Sequence, residues 1–365
     1  MPTSVALLAT GDELVNGDIL NTNSQYISQR LLEHGLPVDM HMVVKDHQAG
    51  LESAILYLLD THDILLTIGG LGPTSDDRTR FALSQALNLP LVFDEKSWQM
   101  IIERLTRLKL SVPESNRAQA LFPEGATIIP NQYGSANACK INRKNKVIYM
   151  LPGPPHECLA IFDEIVVPDL KKFFTKMYRK HWLLFNVSEG QIAQELDHLL
   201  DDSAVELGYR INYPYLEIKL VSSDQAALES IAQKFLPFFK DHIVSEQKLT
   251  WLEQCQNALQ HLPRKVWIHD EVTQGLLQSK LVTKKNFGKV FFTESLPPKL
   301  NEHEYALHIF GMQEWWQEKP ADSLQLTLQF STAKASGQKA LSIPYRPHSL
   351  QYALELIARE MLQLI

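Results

Sequence analysis

Asp63-Ile64-Leu65-Leu66-Thr67-Ile68-Gly69-Gly70-Leu71-Gly72-Pro73-Thr74-Ser75-Asp76-Asp77 is the stretch on which the reading of this chain turns. The apolar run at 63–68 has strand length and predicts a buried strand. Three glycines follow it, and glycine lets a backbone turn sharply and bring its N–H groups close to an anion. The two adjacent carboxylates suit a divalent cation or the activation of water. Together these features point to phosphate chemistry. The alternative is a strand-to-helix turn whose glycines serve tight packing alone.

Working outward, residues 1 to about 170 alternate strand and amphipathic-helix patterns, as a doubly wound, mostly parallel α/β sheet requires. The apolar N-terminal stretch ends at Gly11-Asp12-Glu13 and reads as a first strand rather than a leader, since it lacks a basic segment. Asn23-Ser24 can cap a helix bearing Ile27, Leu31 and Leu32, which Gly35 can close. Val38, Met40, Met42 and Val44 alternate as a strand, and Leu51, Ile55, Leu58 and Leu59 recur at helical spacing. Lys146–Met150 reads as a later strand running into Leu151-Pro152-Gly153-Pro154-Pro155-His156-Glu157 and a further helix. Ligands of open α/β sheets bind at the carboxyl ends of the strands. The turns at 10–13, 69–77 and 151–157 are therefore where chemistry should gather.

From about 175 to 245 the pattern becomes a small α+β unit. Strands are expected at 181–187 and around Leu216, Ile218 and Leu220, with helices at Ile192–Leu200 and Asp224–Phe239. It has no GxxG turn, so a nucleic-acid-clamping loop is unsupported. A third unit begins near 248, with strands at 265–269 and 289–292, alternation at Leu324, Leu326 and Leu328, and a last helix at 350–364. The expected domains are 1–172, 173–246 and 247–365. A chain of 365 residues suits two or three domains.

The net charge of -7 gives no general attraction to nucleic acid or anionic membranes. No apolar run approaches the roughly 18 residues needed to span a bilayer. Cys139, Cys158 and Cys255 form neither a CxxC pair nor a disulfide framework, which suits a reducing cytoplasm.

Asp12, Glu13, Asp46, Asp76 and Asp77 all follow strands and could converge on one crevice as a site for a hard cation of the Mg²⁺ type. The competing reading is that these acids cap helices or end strands. The proline-rich turn at 151–155 is stiff, either a wall of the pocket or a rigid corner, with Glu157 favouring the helix start. The loop Asn131-Gln132-Tyr133-Gly134-Ser135-Ala136-Asn137 either binds phosphate or simply turns. Thirteen histidines show no HxxxH or HExxH spacing, which gives a zinc site no sequence support. His156 reads as a solvated turn residue, and no GxSxG elbow is present.

Thr10-Gly11-Asp12-Glu13-Leu14, Gly17, Asn21, Asn23-Ser24, the glycine turn with Asp76-Asp77 and Thr79, and Leu151–Pro155 with Glu157 together resemble the N-terminal domain of the CinA family. The resemblance continues through a KH-like middle domain into a CinA-type C-terminal domain. It implies a MogA/MoaB-like molybdopterin-binding fold for the first domain and, in that family, metal-dependent ADP-ribose pyrophosphatase activity. Carried over by motif, Asp46 and Asp77 would be catalytic. Gly69, Gly70, Gly72, Pro73, Thr74, Ser135, Gly153, Pro154 and Glu157 would bind substrate, and Asp12, Glu13 and Asp76 would hold a divalent cation. The chain departs from the family at Asn137-Ala138, where a Pro-Gly pair is usual.

The C-terminal domain departs further. The family's amidase serine lies in a Glu-Ser-Cys-Thr-Gly-Gly motif, which corresponds here to Asp270-Glu271-Val272-Thr273-Gln274-Gly275, with Glu271 at the serine position. A carboxylate cannot replace an activated hydroxyl in that route. The family's second loop corresponds to Leu307–Pro320, where one of its glycines survives and bulky Phe310, Trp315 and Trp316 occupy places where backbone N–H groups would need to approach a phosphate. The nicotinamide-mononucleotide deamidase site is thus expected to be lost. The two tryptophans either anchor an interface or fill the vacated pocket. The expectation is a homodimeric cytoplasmic hydrolase acting on a nucleotide such as ADP-ribose, without nucleic-acid or membrane partners. The alternatives are a molybdopterin-binding or adenylyl-transfer protein, or a non-catalytic nucleotide sensor or scaffold.

Overall fold

A computed structural model describes residues 3–200, 204–319 and 321–364. They divide between Met177 and Tyr178 into two compact units. Met1, Pro2 and Pro320, which fall within segments read from the sequence, lie outside the described residues.

The first unit runs β1 (Val5–Thr10), α1 (Asp12–Asn16), α2 (Thr22–Glu33), β2 (Met40–Val44), α3 (Gln48–Thr61), β3 (Ile64–Ile68) and α4 (Thr79–Leu87). It continues through β4 (Leu91–Phe93), α5 (Glu95–Arg107), β5 (Leu121–Pro123), β6 (Thr127–Ile129), β7 (Ala138–Arg143), β8 (Lys146–Leu151), α6 (Pro155–Ile161) and α7 (Val167–Leu170). A six-stranded sheet has the order β2-β1-β3-β8-β7-β6, parallel across its first four strands and antiparallel at β7 and β6. β4 and β5 pair separately.

The continuous apolar run of β3 has its reason in the layers. Ile64, Leu66 and Ile68 pack on one face with Ile27 and Leu31 of α2 and Cys158 and Ile161 of α6. Leu65 packs on the other with Leu51, Ile55 and Leu58 of α3 and Leu83 of α4. A strand covered on both faces has no position at which a polar residue would be free of desolvation cost. The cap of α2 differs from the expectation. Asn21, not Asn23 or Ser24, is the N-cap, its side chain accepting from the Ser24 amide at 3.1 Å.

The second unit contains β9 (Tyr178–Phe185), α8 (Glu189–Leu196), β10 (Glu206–Asn212), β11 (Tyr215–Ser222), α9 (Gln225–Phe239) and β12 (Ile243–Ser245). These make an antiparallel sheet of order β10-β11-β9-β12, whose core includes Ile192 of α8 and Phe235 of α9. Then follow α10 (Trp251–His261), β13 (Lys265–Asp270), α11 (Leu276–Leu281), β14 (Val290–Phe292), β15 (Glu304–Gly311), α12 (Gln313–Trp316), β16 (Ser323–Thr332), β17 (Ser336–Pro344) and α13 (Ser349–Leu364). The second sheet of this unit has the order β14-β13-β15-β16-β17, with β14, β13 and β15 parallel. Much of the segment read as a second loop is regular: Leu307–Gly311 belong to β15, and Gln313–Trp316 form a short helix. No described helix is long and apolar enough to cross a membrane.

Candidate functional site

Register brings the sequence motifs together. Thr10 lies opposite Val44, Ala9 opposite Ile68, and Ile68 opposite Leu151. The turns after β1, β2, β3 and β8 therefore leave the sheet at one edge, around a cleft of about 670 Å³. Its lining includes Glu13, Asp46, Gly69, Gly70, Gly72, Pro73, Asp76, Asp77, Ser135, Gly153, Pro154 and Glu157. Asp12 and Thr74 are not part of the lining and act on it through hydrogen bonds.

The glycine turn is held open from behind. Gly70 has φ +66°, and a Cβ there would meet the side chain of fully buried Thr79. A side chain at this position would be both strained and crowded. Arg80, 1% exposed, donates to the carbonyls of Leu71 and Ala118 and reaches Gly72 O at 3.4 Å. Burial pushes its guanidinium pKa down to about 10, so it remains charged at neutral pH. From the front, Asp77 accepts from the Gly72 amide at 2.7 Å and from the amide and hydroxyl of Thr74 at 2.9 and 2.5 Å. The amides of Gly72 and Thr74 are therefore spent on Asp77. Those of Gly70 and Leu71, both lining residues, have no acceptor among the described residues. Anion binding by this turn falls to them rather than to Gly72 or Thr74.

The acids at the other strand ends clasp one another. Asp46 accepts from the Thr10 hydroxyl and from the Asp12 amide at 3.2 Å, while Asp12 Oδ1 accepts from the Asp46 amide at 3.1 Å. Burial raises the Asp46 pKa above its ordinary value, partly offset by the Thr10 hydroxyl. Asp76 stands exposed. Among the described residues, no three of these acids bring donor atoms within 4.8 Å of one another.

The opposite wall depends on the first residue of the 131–137 loop. Buried Asn131 donates from Nδ2 to Glu157 Oε2 at 2.6 Å and to Ala136 O at 2.9 Å. Its Oδ1 accepts the amides of Tyr133 and Gly134, both at 2.9 Å. Gly134 has no room for a Cβ, because the Glu157 carboxylate occupies that space. Asn137 binds the Asn131 amide at 2.8 Å and Ser97 Oγ at 2.9 Å, so side-chain bonds fix the loop where the family has Pro-Gly. Gln119 donates to Ser135 Oγ at 3.2 Å, and Asn23 donates to Gly153 O at 2.8 Å. Asn23 Oδ1 is buried without a partner. A second cavity of about 600 Å³ shares Ser135 and brings Arg104 and Arg107 beside the loop.

The sequence singles out neither Arg80 nor Gln119, and it names Asn131 and Asn137 only as ends of a loop that binds phosphate or turns. Arg80 and Gln119 act on Ala118 and Ser135, 38 and 16 residues away, whereas Asn131 closes its own loop and reaches Glu157. The buried thiols of Cys139, Cys158 and Cys255 are each pushed up to about 12 and are no nucleophiles. His156 is solvated, as the sequence suggested.

Residues 6–172 match the family model described as "Probable molybdopterin binding domain". A competence-damage inducible protein of Acetivibrio thermocellus is 32% identical over 295 residues, covering 78% of this chain and 71% of that protein. A CinA-like protein of Dictyoglomus thermophilum is 31% identical over 304 residues, covering 81% and 74%. Among solved structures, the protein CinA of unknown function from Thermoplasma acidophilum aligns over 46% of this chain and 98% of its own, at 26% identity and TM-score 0.43. With its glycine turn, its paired acids and a match spanning both units, the chain belongs to the CinA family of competence-damage inducible proteins.

Proposed function

We propose that the first unit hydrolyses the pyrophosphate of ADP-ribose or a related nucleotide with a divalent cation. The observation that carries this reading is the pairing, in one cleft, of unspent amides at Gly70 and Leu71 with the carboxylates of Glu13, Asp46 and Asp76. Water adds to one phosphorus, the bridging P–O bond breaks, and AMP and ribose 5-phosphate leave. The two amides stabilise charge developing on a phosphate oxygen. Asp77 fixes the turn that presents them.

Mg²⁺ is commonly held by one or two carboxylates together with substrate phosphates, so a site without three converged acids fits a cation that arrives with its nucleotide. Asp46, with Asp12 and Glu13 beside it, would hold that cation, which would supply charge neutralisation and a more acidic water. Arg107, beside the same loop, suits the far end of a dinucleotide, while Arg104 donates to the Gln132 and Tyr133 carbonyls. The description of the matched family model favours a second reading, binding or adenylylation of a pterin.

The deamidase chemistry is absent on this reading. Glu271 occupies the nucleophile position, and the Trp316 indole donates to Val272 O at 2.8 Å, across the loop that would receive substrate. Incubation with ADP-ribose and Mg²⁺ or Mn²⁺ should release AMP, and Asp77→Asn should lower the rate about 100-fold or more, the scale of losing a preorganised oxyanion donor. Full activity in that variant would remove the assignment. A pterin dithiolene bound in place of ADP-ribose would favour the second reading.

A further inference from the structure

His269 and His308 are 39 residues apart, yet β13 and β15 pair them directly in register. Their rings stack with centroids 4.6 Å apart and planes within 4°. Glu271, two residues after His269, carries its carboxylate to the same place. Its Oε1 is 2.6 Å from His308 Nε2 and 3.7 Å from His269 Nε2. The three side chains thus offer donor atoms all within 4.8 Å of one another, and among the described residues no other group of three or more does so.

We propose that His269, Glu271 and His308 form a binding site for a first-row transition-metal cation of the Zn²⁺ class. Two imidazoles and one carboxylate are a donor set that such ions favour over Mg²⁺ or Ca²⁺, which prefer oxygen alone. Both Nε2 atoms lie within 3.7 Å of the same carboxylate oxygen, and a tilt of one stacked ring would bring both lone pairs onto a single ion.

The backbone contributes as much as the side chains. The Glu271 amide donates to Ile309 O at 3.0 Å, which extends the β13–β15 ladder past its last residue and fixes Glu271 beside His308. The Phe310 ring packs on His308 with centroids 4.7 Å apart. Trp267 and Phe291, one side-chain step along the same sheet face, stack at 4.7 Å. Phe310 restricts the His308 ring, and each imidazole is left about a quarter exposed, enough for a hydrated ion to enter. The Glu271 side chain is half exposed and can withdraw from its hydrogen bond to His308 to make room. Three protein ligands leave a coordination position for water.

The test is Zn²⁺ titration of the full chain by calorimetry in excess Mg²⁺, which occupies oxygen-only sites elsewhere. The expected result is uptake of one Zn²⁺ per chain, weakened about 100-fold or more in His269→Ala and in His308→Ala, ligand loss being at least as costly as second-sphere loss. Uptake that is unchanged in the double variant would assign the ion to histidines elsewhere and overturn the proposal. Absence of uptake by the unmodified chain would also overturn it. Should the variants fail to fold, X-ray absorption of the Zn²⁺-loaded unmodified chain decides, since two imidazoles with oxygen ligands are required and any other set refutes the site.

Discussion

The turn after β3 and the turn after β13 begin alike and end differently. Each leaves a parallel strand of its sheet and leads toward a helix, and in each an aspartate accepts two backbone amides. Asp77 takes those of Gly72 and Thr74, and Asp270 takes those of Val272 and Thr273, both at 2.9 Å. After β3, however, Gly69 and Gly70 at φ +97° and +66° insert two residues of left-handed backbone ahead of the aspartate's grip, and the amides of Gly70 and Leu71 stay unspent. After β13 the amide of Glu271 goes to Ile309, the next two go to Asp270, and the indole of Trp316 takes the Val272 carbonyl. The lesson is that, of these two aspartate-braced turns, the one whose glycines precede the brace keeps backbone amides unspent. Without them the backbone satisfies itself, and what remains for chemistry is side chains.

The largest way to break this contrast is to remove the rear support of the first turn. Arg80→Met should leave the buried carbonyl of Leu71 without a donor and that of Ala118 with the Leu121 amide alone, and cost about 2 kcal/mol, at roughly 1–3 kcal/mol per unsatisfied group. Urea denaturation should show this as a lower midpoint, and an unchanged midpoint would mean that the turn does not depend on its buried cation. Asn131→Ala acts on the opposite wall. It leaves the amides of Tyr133 and Gly134 and the Glu157 carboxylate without that partner, and should cost about 2 kcal/mol. It should also raise KM for nucleotide more than it lowers kcat.

Acidification sharpens the comparison at Asp46, the acid proposed to hold the cation. The pKa of Asp46 is raised by burial, so its carboxylate becomes protonated at a higher pH than an exposed aspartate, whose value is about 3.9. Cation affinity in the first cleft should therefore fall on an acid limb lying above that value, and a limb at the ordinary value would contradict the burial.

The smallest expected effect is in the second unit. Glu355 accepts from the Tyr215 hydroxyl at 2.5 Å and the Leu252 amide at 3.0 Å, and burial raises its pKa. The folded state thus binds this proton more tightly than the unfolded chain. Stability attributable to Glu355 is greatest below the unfolded value and declines as pH rises through the raised one. Glu355→Gln keeps an acceptor and removes the charge, so it should flatten that slope and change stability at neutral pH by less than about 1 kcal/mol. A steeper slope in the variant would contradict this.

Much of the first site was legible in the sequence because its chemistry depends on local composition. Glycines, prolines and acids after strands declare themselves, and the cleft gathers most of those named. The cap at Asn21 was missed because Asn21, Asn23 and Ser24 are interchangeable in composition and differ only in where each side chain points. β17 was missed for a different reason: its alternating residues are largely exposed, so no apolar period marks it. Arg80 carries no signature, because its role is defined by carbonyls that the fold brings to it, and Asn131 lay in a loop whose sequence left binding and turning open.

The sequence by itself determined the family, the strand-to-helix turns and the loss of glycines from the C-terminal loops, since each follows from residue types within a few positions. Only the tertiary structure decided which amides remain unspent, that Asp77 braces its turn, and that His269 and His308 meet beside Glu271. The reason is register: a parallel pairing aligns residues 39 apart in the chain, and no local spacing encodes it.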